Sequence, residues 1–438
     1  MIDLGSLGLN SRPAGSVLAY GRDGVHDWRE FCGSVAATSE RIGSARSVLI
    51  ATGNAWHFSV AIFAAMNAGA RVVIPHNLQA GTLASLEQEC ALKIDDDFLV
   101  HSNSGDFSLK EKKLTLEFFT SGSTGSAKKV VRDLWQMETE VKTIAILWPG
   151  RVGARAISYA TVPHQHVYGL VFHILWPLLT QRSFFADRFN FWEELFPVLT
   201  EAAVIVSSPS HLSRMGGLRK VANDKIPSAI LTGGAPLTDL SAQEAATILG
   251  RPVDEFYGST ETGAIATRAR NEPDPMWLPF PNYALSRTDA GLLRIDAPKV
   301  IAGDGFELQD RIEFFENGLF RLLGRADRTV KVEGKRIDLG EVEEFLAASD
   351  DVAECAVISL GEEKVILAAA IVLQARGRAR LQALGQFEYC LELKQKLATR
   401  FDLVTLPKKW LFLDELPMNA LGKRAAAIRN LFAEAKND

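Results

Sequence analysis

Cysteine is scarce in this chain: Cys32, Cys90, Cys355 and Cys390 are its four in 438 residues, with no CxxC spacing and no histidine at metal-ligand spacing. That excludes a disulfide framework and a thiolate zinc site, and the four are expected to be core residues of a reducing compartment. Positive charge is not in surplus either. Forty-eight Lys and Arg face 53 Asp and Glu, a net charge of −5, which argues against a nucleic-acid binder, where a basic surplus gathers on one face. Long apolar runs are missing: "VILAAAIVL" (365–373) is among the longest, well short of the ~20 residues that span a bilayer and suited to a buried strand. The opening "MIDLGSLGLNSRP" has neither the charged nor the apolar segment of a signal peptide, so a cytoplasmic protein without a membrane span is expected. The Walker A spacing G-x-x-x-x-G-K-[ST] is also absent, which weighs against a nucleotide kinase or motor ATPase.

What is present is α/β alternation. "WHFSVAIFAAMNAGARVVIP" (56–75) sets Phe58, Ile62, Phe63 and Met66 at helical spacing, then Gly69 at a C-cap, then a β-branched run, which predicts a helix feeding a strand. "AVIVSSP" (203–209) and "SAILTGGAPL" (228–237) are short β-branched runs ending in turn residues. Such alternation predicts a parallel-rich sheet flanked by helices, with ligands beyond the carboxyl ends of the strands. After about residue 325 the texture changes. "AECAVISL" and "KVILAAAIVL" read as strands and "LGQFEYCLELKQKLATRF" as an amphipathic helix, so a large N-terminal domain over 1–326 and a small α+β domain over 327–438 are expected.

Four stretches carry chemistry, each with a plainer reading beside it. "FFTSGSTGSAKKV" (118–130) supplies Gly122 and Gly125, whose backbone freedom lets N–H groups converge on an anion, with hydroxyls from Ser121, Ser123 and Thr124 and charge from Lys128,. A surface turn has the same composition. "FYGSTETG" (256–263) offers Glu261 beside Thr260, one carboxylate being enough for magnesium when phosphate oxygens and water complete its shell; a solvated turn would look alike. Asp310 and Arg325 suit ribose hydroxyls or a charged interdomain surface. "ELPMNALGKRAA" (415–426) ends in Gly422 and Lys423, and a lysine so near the terminus is ordinarily idle.

Their joint order is more informative than any one of them. T-S-G-S-T-G-x-x-K, P-H-Q-H-x-Y-G, G-G-A-P, Y-G-S-T-E, an Asp ahead of G-R-x-D, G-K-R and P-x-x-x-x-G-K together resemble the adenylate-forming superfamily of acyl-CoA synthetases, peptide-synthetase adenylation domains and luciferases. The resemblance spans about residues 50–430. It implies an acid–thiol ligase that uses ATP and Mg²⁺ to make an acyl-adenylate and passes the acyl group to CoA or to the phosphopantetheine of an acyl carrier protein. It implies that Thr120, Ser121, Gly122, Ser123, Thr124, Gly125 and Lys128 hold the β- and γ-phosphates, that Glu261 carries Mg²⁺, and that Thr260 donates to the α-phosphate within the turn Tyr257, Gly258, Ser259. Gly233, Gly234, Ala235 and Pro236 would flank adenine with Tyr257, and Asp310 and Arg325 would bind ribose. His166 would stand between the acyl pocket and the thiol tunnel, and Lys423 would meet the carboxylate. Asp327 matches the hinge about which the small domain turns, bringing Gly334, Lys335 and Arg336 to the thiol.

The chain also departs from that pattern. Ala127 stands where proline is usual, "LQD" (308–310) replaces T-G-D, and "MWLPFP" (276–281) occupies a compact stretch where glycine is common. This trimming, with "VPHQHVYGLVFHILWPL", resembles short bacterial ligases of aryl-polyene and xanthomonadin-type pigment pathways. "ARGRAR" (375–380) is read as a turn whose Arg376, Arg378 and Arg380 either lie idle in solvent or meet an acidic carrier. An adenylate synthetase that stops before the thioester, a luciferase-like oxygenase and a noncatalytic acyl or nucleotide sensor are the other readings. The sensor should lack Lys423, Glu261 or a loop glycine, and all are present.

Overall fold

The computed structural model describes residues 1–109, 115–121, 127–148, 150–297, 305–333, 335–361, 365–417 and 424–434. The chain divides into two compact units, 1–284 with 296–306, and 285–295 with 307–438. The hinge position expected at Asp327 falls inside the second unit, directly after a four-stranded sheet.

In the first unit, helix α1 (Ala55–Ala68) is N-capped by Asn54, whose side chain accepts from the His57 N–H, and ends at Gly69 with φ 76°. Only a residue without a β-carbon takes that angle cheaply. Strand β1 (Arg71–Ile74) follows. The helix is buried on nearly every side, Trp56, Ser59, Val60 and Ala61 as well as Phe58 and Ile62. It is therefore a core helix, more deeply enclosed than one apolar stripe implies. β2 (Thr115–Ser121) and β3 (Ala127–Asp133) form an antiparallel hairpin, with Thr120 opposite Lys128. They complete a five-stranded sheet in the order Leu92–Ile94, Ser47–Ile50, β1, β2, β3. Helix α2 (Leu134–Ala145) continues from β3.

The larger sheet of this unit has nine strands. Its centre is β4 (Ile157–Ala160), β5 (Ala203–Ser207), β6 (Ala229–Gly233) and β7 (Asp254–Ser259), adjacent in that order and mutually parallel. β8 (Gly263–Ala269) turns back antiparallel to β7. β5 and β6 are buried at every position, which is why they read as continuous apolar runs.

In the second unit, β9 (Phe306–Phe314) and β10 (Phe320–Arg325) pair antiparallel. Beyond them, β11 (Val352–Leu360) and β12 (Ile366–Leu373) pack with the helices α3 (Ala375–Leu384) and α4 (Gln386–Ala398) around Val342, Leu346, Ile371, Tyr389 and Leu393. The "ARGRAR" turn is in fact the first part of helix α3, and its arginines are engaged. Arg376 pairs with Asp350 and Asp351, Arg380 with Asp351 and Glu392, and Arg378 donates to the Leu373 carbonyl. Asp351 is 1% exposed, so these arginines satisfy a buried carboxylate of their own fold. Arg380→Glu should therefore lower stability by about 1–3 kcal/mol, against ~0.5 for an ordinary surface change. Thermal unfolding of the full chain checks this, and an unchanged midpoint would return the patch to solvent.

Only Cys32 is buried. Cys90, Cys355 and Cys390 are half-buried and all four are free thiols. Cys355 and Cys390 nevertheless pack against the core of the second unit and Cys90 against a core cluster of the first, so the expected core setting holds for all four. Burial pushes the Cys32 thiol up to about 12, leaving it protonated and inert. Among the described residues no helix is long and apolar enough to cross a membrane.

Candidate active site

Because β4 to β7 are parallel, the residues that follow each strand emerge at one sheet edge, where open α/β sheets take their ligands. β4 leads to the histidine segment 163–169, β5 to Ser208 and Pro209, β6 to Gly234, and β7 to Thr260 and Glu261. The ends of β4 and β5 are tied by a buried 2.8 Å hydrogen bond between the Thr161 and Ser207 hydroxyls. Four separate stretches of sequence thus meet at one place.

At the end of β6 the backbone is bare for a reason. A β-carbon on Gly233 would lie 2.9 Å from the Phe256 carbonyl and 3.4 Å from the Tyr168 ring, and Gly234 has φ 84°. Beside this turn Thr232 is fully buried, and among the described residues its hydroxyl has no hydrogen-bond partner. A buried polar atom left without a partner costs free energy unless a ligand satisfies it. Tyr257 lies 5.5 Å, ring centre to ring centre, from Trp277. Trp277 is buried with the Arg268 guanidinium 4.3 Å above it. "MWLPFP" thus supplies the backing for the tyrosine expected at adenine. Its Trp–Leu–Pro run carries no sequence signal for that role.

The β7–β8 turn is tight. Thr262 is buried, accepts from the Ser259 N–H at 3.1 Å and donates to the Gly263 carbonyl at 2.9 Å. Thr260 and Glu261, which lie between Ser259 and Thr262, are only half-buried, so Glu261 sits on a fixed turn that solvent can reach. The fit to magnesium is one of chemistry: one half-buried carboxylate on this turn suits a cation that keeps water and phosphate oxygens as its other ligands. Among the described residues no cluster of three or more metal-ligating side chains exists.

The histidines divide. His164 is 4% exposed, packs on Phe58 at 4.6 Å, and burial pushes its pKa down to about 3, which favours the neutral ring. His166 precedes a short helix and is reached by solvent, yet desolvation by surrounding protein, then the neighbouring His76, lowers its pKa too. The Tyr168 ring packs at 4.8 Å on Phe172, its hydroxyl buried and without a hydrogen-bond partner among the described residues. The sequence motif P-H-Q-H-x-Y-G gives His166 a role and contains Tyr168 without giving it one.

In the second unit Asp310 and Arg325 stand opposite each other on β9 and β10, 3.2 Å apart. The "LQD" departure leaves a regular strand, irregular only between Asp310 and Ile312. Arg325 also grips Asp327 with two bonds, 2.9 and 2.7 Å, and this holds the Asp327 carboxyl below its usual range. Lys335 lies 3.5 Å from Asp402. Gly122, Ser123, Thr124, Gly125, Gly334 and Lys423 lie outside the described residues, and Thr120, Ser121, Lys128 and Arg336 are described through their backbone alone.

Comparison with known proteins bears on the family of the chain. A family model described as AMP-binding enzyme matches residues 78–286, and one described as AMP-binding enzyme C-terminal domain matches 341–423. A 4-coumarate–CoA ligase of Cereibacter sphaeroides is 26% identical over 322 residues, 73% of this chain and 72% of that protein. A D-alanine–D-alanyl carrier protein ligase of Staphylococcus haemolyticus is 29% identical over 38% of the chain and 39% of its own length. The fold matches a benzoate CoA ligase of Burkholderia xenovorans LB400 with a TM-score of 0.79 at 17% identity, covering 96% of this chain and 98% of that one. The two family models together span well over half of the chain, in the order of its two units, and the chain belongs to the AMP-binding, adenylate-forming superfamily.

Proposed function

We propose that the protein is an acid–thiol ligase that activates an aromatic or fatty carboxylic acid with ATP and transfers the acyl group to CoA or to a carrier-bound phosphopantetheine. The observation that carries this reading is the convergence of the 233–236 and 257–261 turns and the histidine segment on one edge of a parallel sheet. In the first half-reaction a carboxylate oxygen attacks the α-phosphorus and the bond to the β-phosphate bridging oxygen breaks, releasing pyrophosphate. In the second, the thiol sulfur attacks the acyl carbonyl, AMP departs and the thiol proton is lost.

The physical obstacle is charge. Two like unit charges 4 Å apart repel by about 4 kcal/mol at an effective dielectric of 20, so the site must deliver positive charge where the anions meet. Lys423 takes that role, with the 120–128 loop and Lys128 on the outer phosphates and Thr260 on the α-phosphate. Glu261 holds magnesium, which when bound neutralises phosphate oxygens. Asp310 and Arg325 take the ribose, Gly233, Gly234, Ala235 and Pro236 with Tyr257 flank adenine, and His166 faces the thiol path. The small domain, 327–438, turns at Asp327 and exchanges Lys423 for Gly334, Lys335 and Arg336, a gating motion between half-reactions. The setting is cytoplasmic.

The test is ATP–pyrophosphate exchange across benzoates, cinnamates and fatty acids of graded length, then CoA and a phosphopantetheinylated carrier as rival acceptors. Exchange with at least one acid and a thioester with one acceptor is expected. Adenylate without thioester would favour a synthetase that stops early, and silence with every acid would favour a sensor.

A further inference from the structure

Strand β3 leaves the expected phosphate loop as Lys129, Val130, Val131, Arg132, with Lys129 and Val131 exposed and Val130 and Arg132 buried. A period-two strand thus points an arginine into the core, where an apolar residue belongs. Arg132 is 1% exposed. It donates from Nη1 to the Thr260 carbonyl at 2.9 Å. Its other partner is Glu140 of α2, also buried, with Nη2 and Oε2 a loose 3.5 Å apart. Glu140 uses its other oxygen to accept the Ala264 N–H at 2.7 Å.

The pair therefore grasps both ends of the β7–β8 turn, one residue before Glu261 and three after it. Gly263 fits the same contact: its φ is 69°, and a β-carbon there would fall 2.2 Å from Glu140 Oε2. Tyr283 completes the brace by donating to the Thr262 carbonyl at 3.2 Å. A buried ion pair this loose is a poor source of stability, since desolvating two charges costs more than a distant partner returns, and well-packed apolar residues often serve better. Such a pair persists when it does something an apolar pair cannot.

We infer that Arg132 and Glu140 are positioning residues that fix the Thr260–Glu261 turn relative to the strand emerging from the phosphate loop, so that the two halves of the metal–nucleotide site are set by one strut. The inference rests on the reading of Glu261 and the 120–128 loop given above. It adds residues that touch no substrate and act only through the turn. In the sequence the two appear only as an arginine in "KKVVRD" and a glutamate within an amphipathic helix, and the inward register that joins them comes from the structure.

The test replaces both members, Arg132→Met with Glu140→Leu, beside the single variant Arg132→Lys. Hydrogen–deuterium exchange of the 258–264 peptide, Mn²⁺·ATP binding by electron paramagnetic resonance, and the Mg²⁺ dependence of ATP–pyrophosphate exchange are read with thermal unfolding. The double variant is expected to unfold cooperatively near the parent temperature. Its 258–264 amides should nonetheless exchange at least tenfold faster, its Mn²⁺·ATP affinity should fall at least tenfold, and its half-saturating Mg²⁺ should rise to match, with KM for the acid unchanged. Arg132→Lys should recover part of each loss. Unchanged exchange in 258–264, or unchanged metal–nucleotide affinity beside a loosened turn, would overturn the inference. So would loss of all parameters in step with unfolding in both variants. A parent protein that binds no Mn²⁺·ATP would instead remove the functional reading, while the amide exchange still reports whether the strut holds the turn.

Discussion

Lys423→Ala is expected to cut acyl-adenylate formation by about 10²–10³-fold or more while thioester formation from supplied acyl-adenylate stays within a few-fold of the parent. The asymmetry follows from when the charge is needed. The carboxylate and the α-phosphate are both anionic only before the adenylate forms, and a cation aimed at the developing bridging oxygen acts on that barrier alone. Once the adenylate exists, the repulsion is gone, and in the proposed cycle the small domain turns the lysine away. Pyrophosphate exchange reads the first step, and single-turnover transfer from synthetic acyl-adenylate reads the second. Equal loss in both would end the division of labour between Lys423 and the 334–336 loop.

Gly258→Ala is expected to be nearly as damaging for a reason visible in the backbone. The added β-carbon would sit 1.9 Å from the Gly263 carbonyl oxygen and 2.8 Å from its carbon. Neither atom is the end of a flexible side chain, so the hairpin itself must open. Overpacking of this kind costs about 1–3 kcal/mol. Function should suffer more than stability, because an ångström of displacement at a reacting centre costs about 10²-fold in rate. Gly81→Ala is the control: it lies within the helix Ala80–Glu87 and nothing is within 4 Å of the new carbon, so stability should hold or rise by about 0.5–1 kcal/mol. A Gly258→Ala protein with parental exchange activity would show that the turn geometry is not what places Thr260 and Glu261.

Much of this was legible in the sequence, for particular reasons. Helix α1 and strand β1 were readable because Gly69 marks the cap and a β-branched run follows at once. The edge of the nine-stranded sheet was readable because each parallel strand ends in turn residues, so order along the chain maps onto proximity in space. The enclosure of α1 was not, since a pattern of apolar spacing does not say how many neighbours a helix has. The engagement of Arg376 and Arg380 was missed because their partners lie in two separate places, Asp350 and Asp351 in the turn before β11 and Glu392 in helix α4. Arg132 was passed over because charge in a strand reads as solvent-facing until the register is known. Trp277 behind Tyr257, and Tyr168 behind Gly233, are contacts between segments with no shared pattern.

Arg325 divides one guanidinium between Asp310, at the expected ribose position, and Asp327, at the expected joint. A side chain bonded at both places, by Nη1 to Asp310 and by Nε and Nη2 to Asp327, ties the two positions together. Whatever draws Arg325 toward the strand leaves the joint looser, and whatever tightens the joint must weaken the strand's hold, by the same factor in each direction. The exchange is small, of the order of 1 kcal/mol for groups this exposed, a size that would suit the turn proposed at Asp327. Nucleotide occupancy would then be reported to the hinge by a single side chain, with no longer path required.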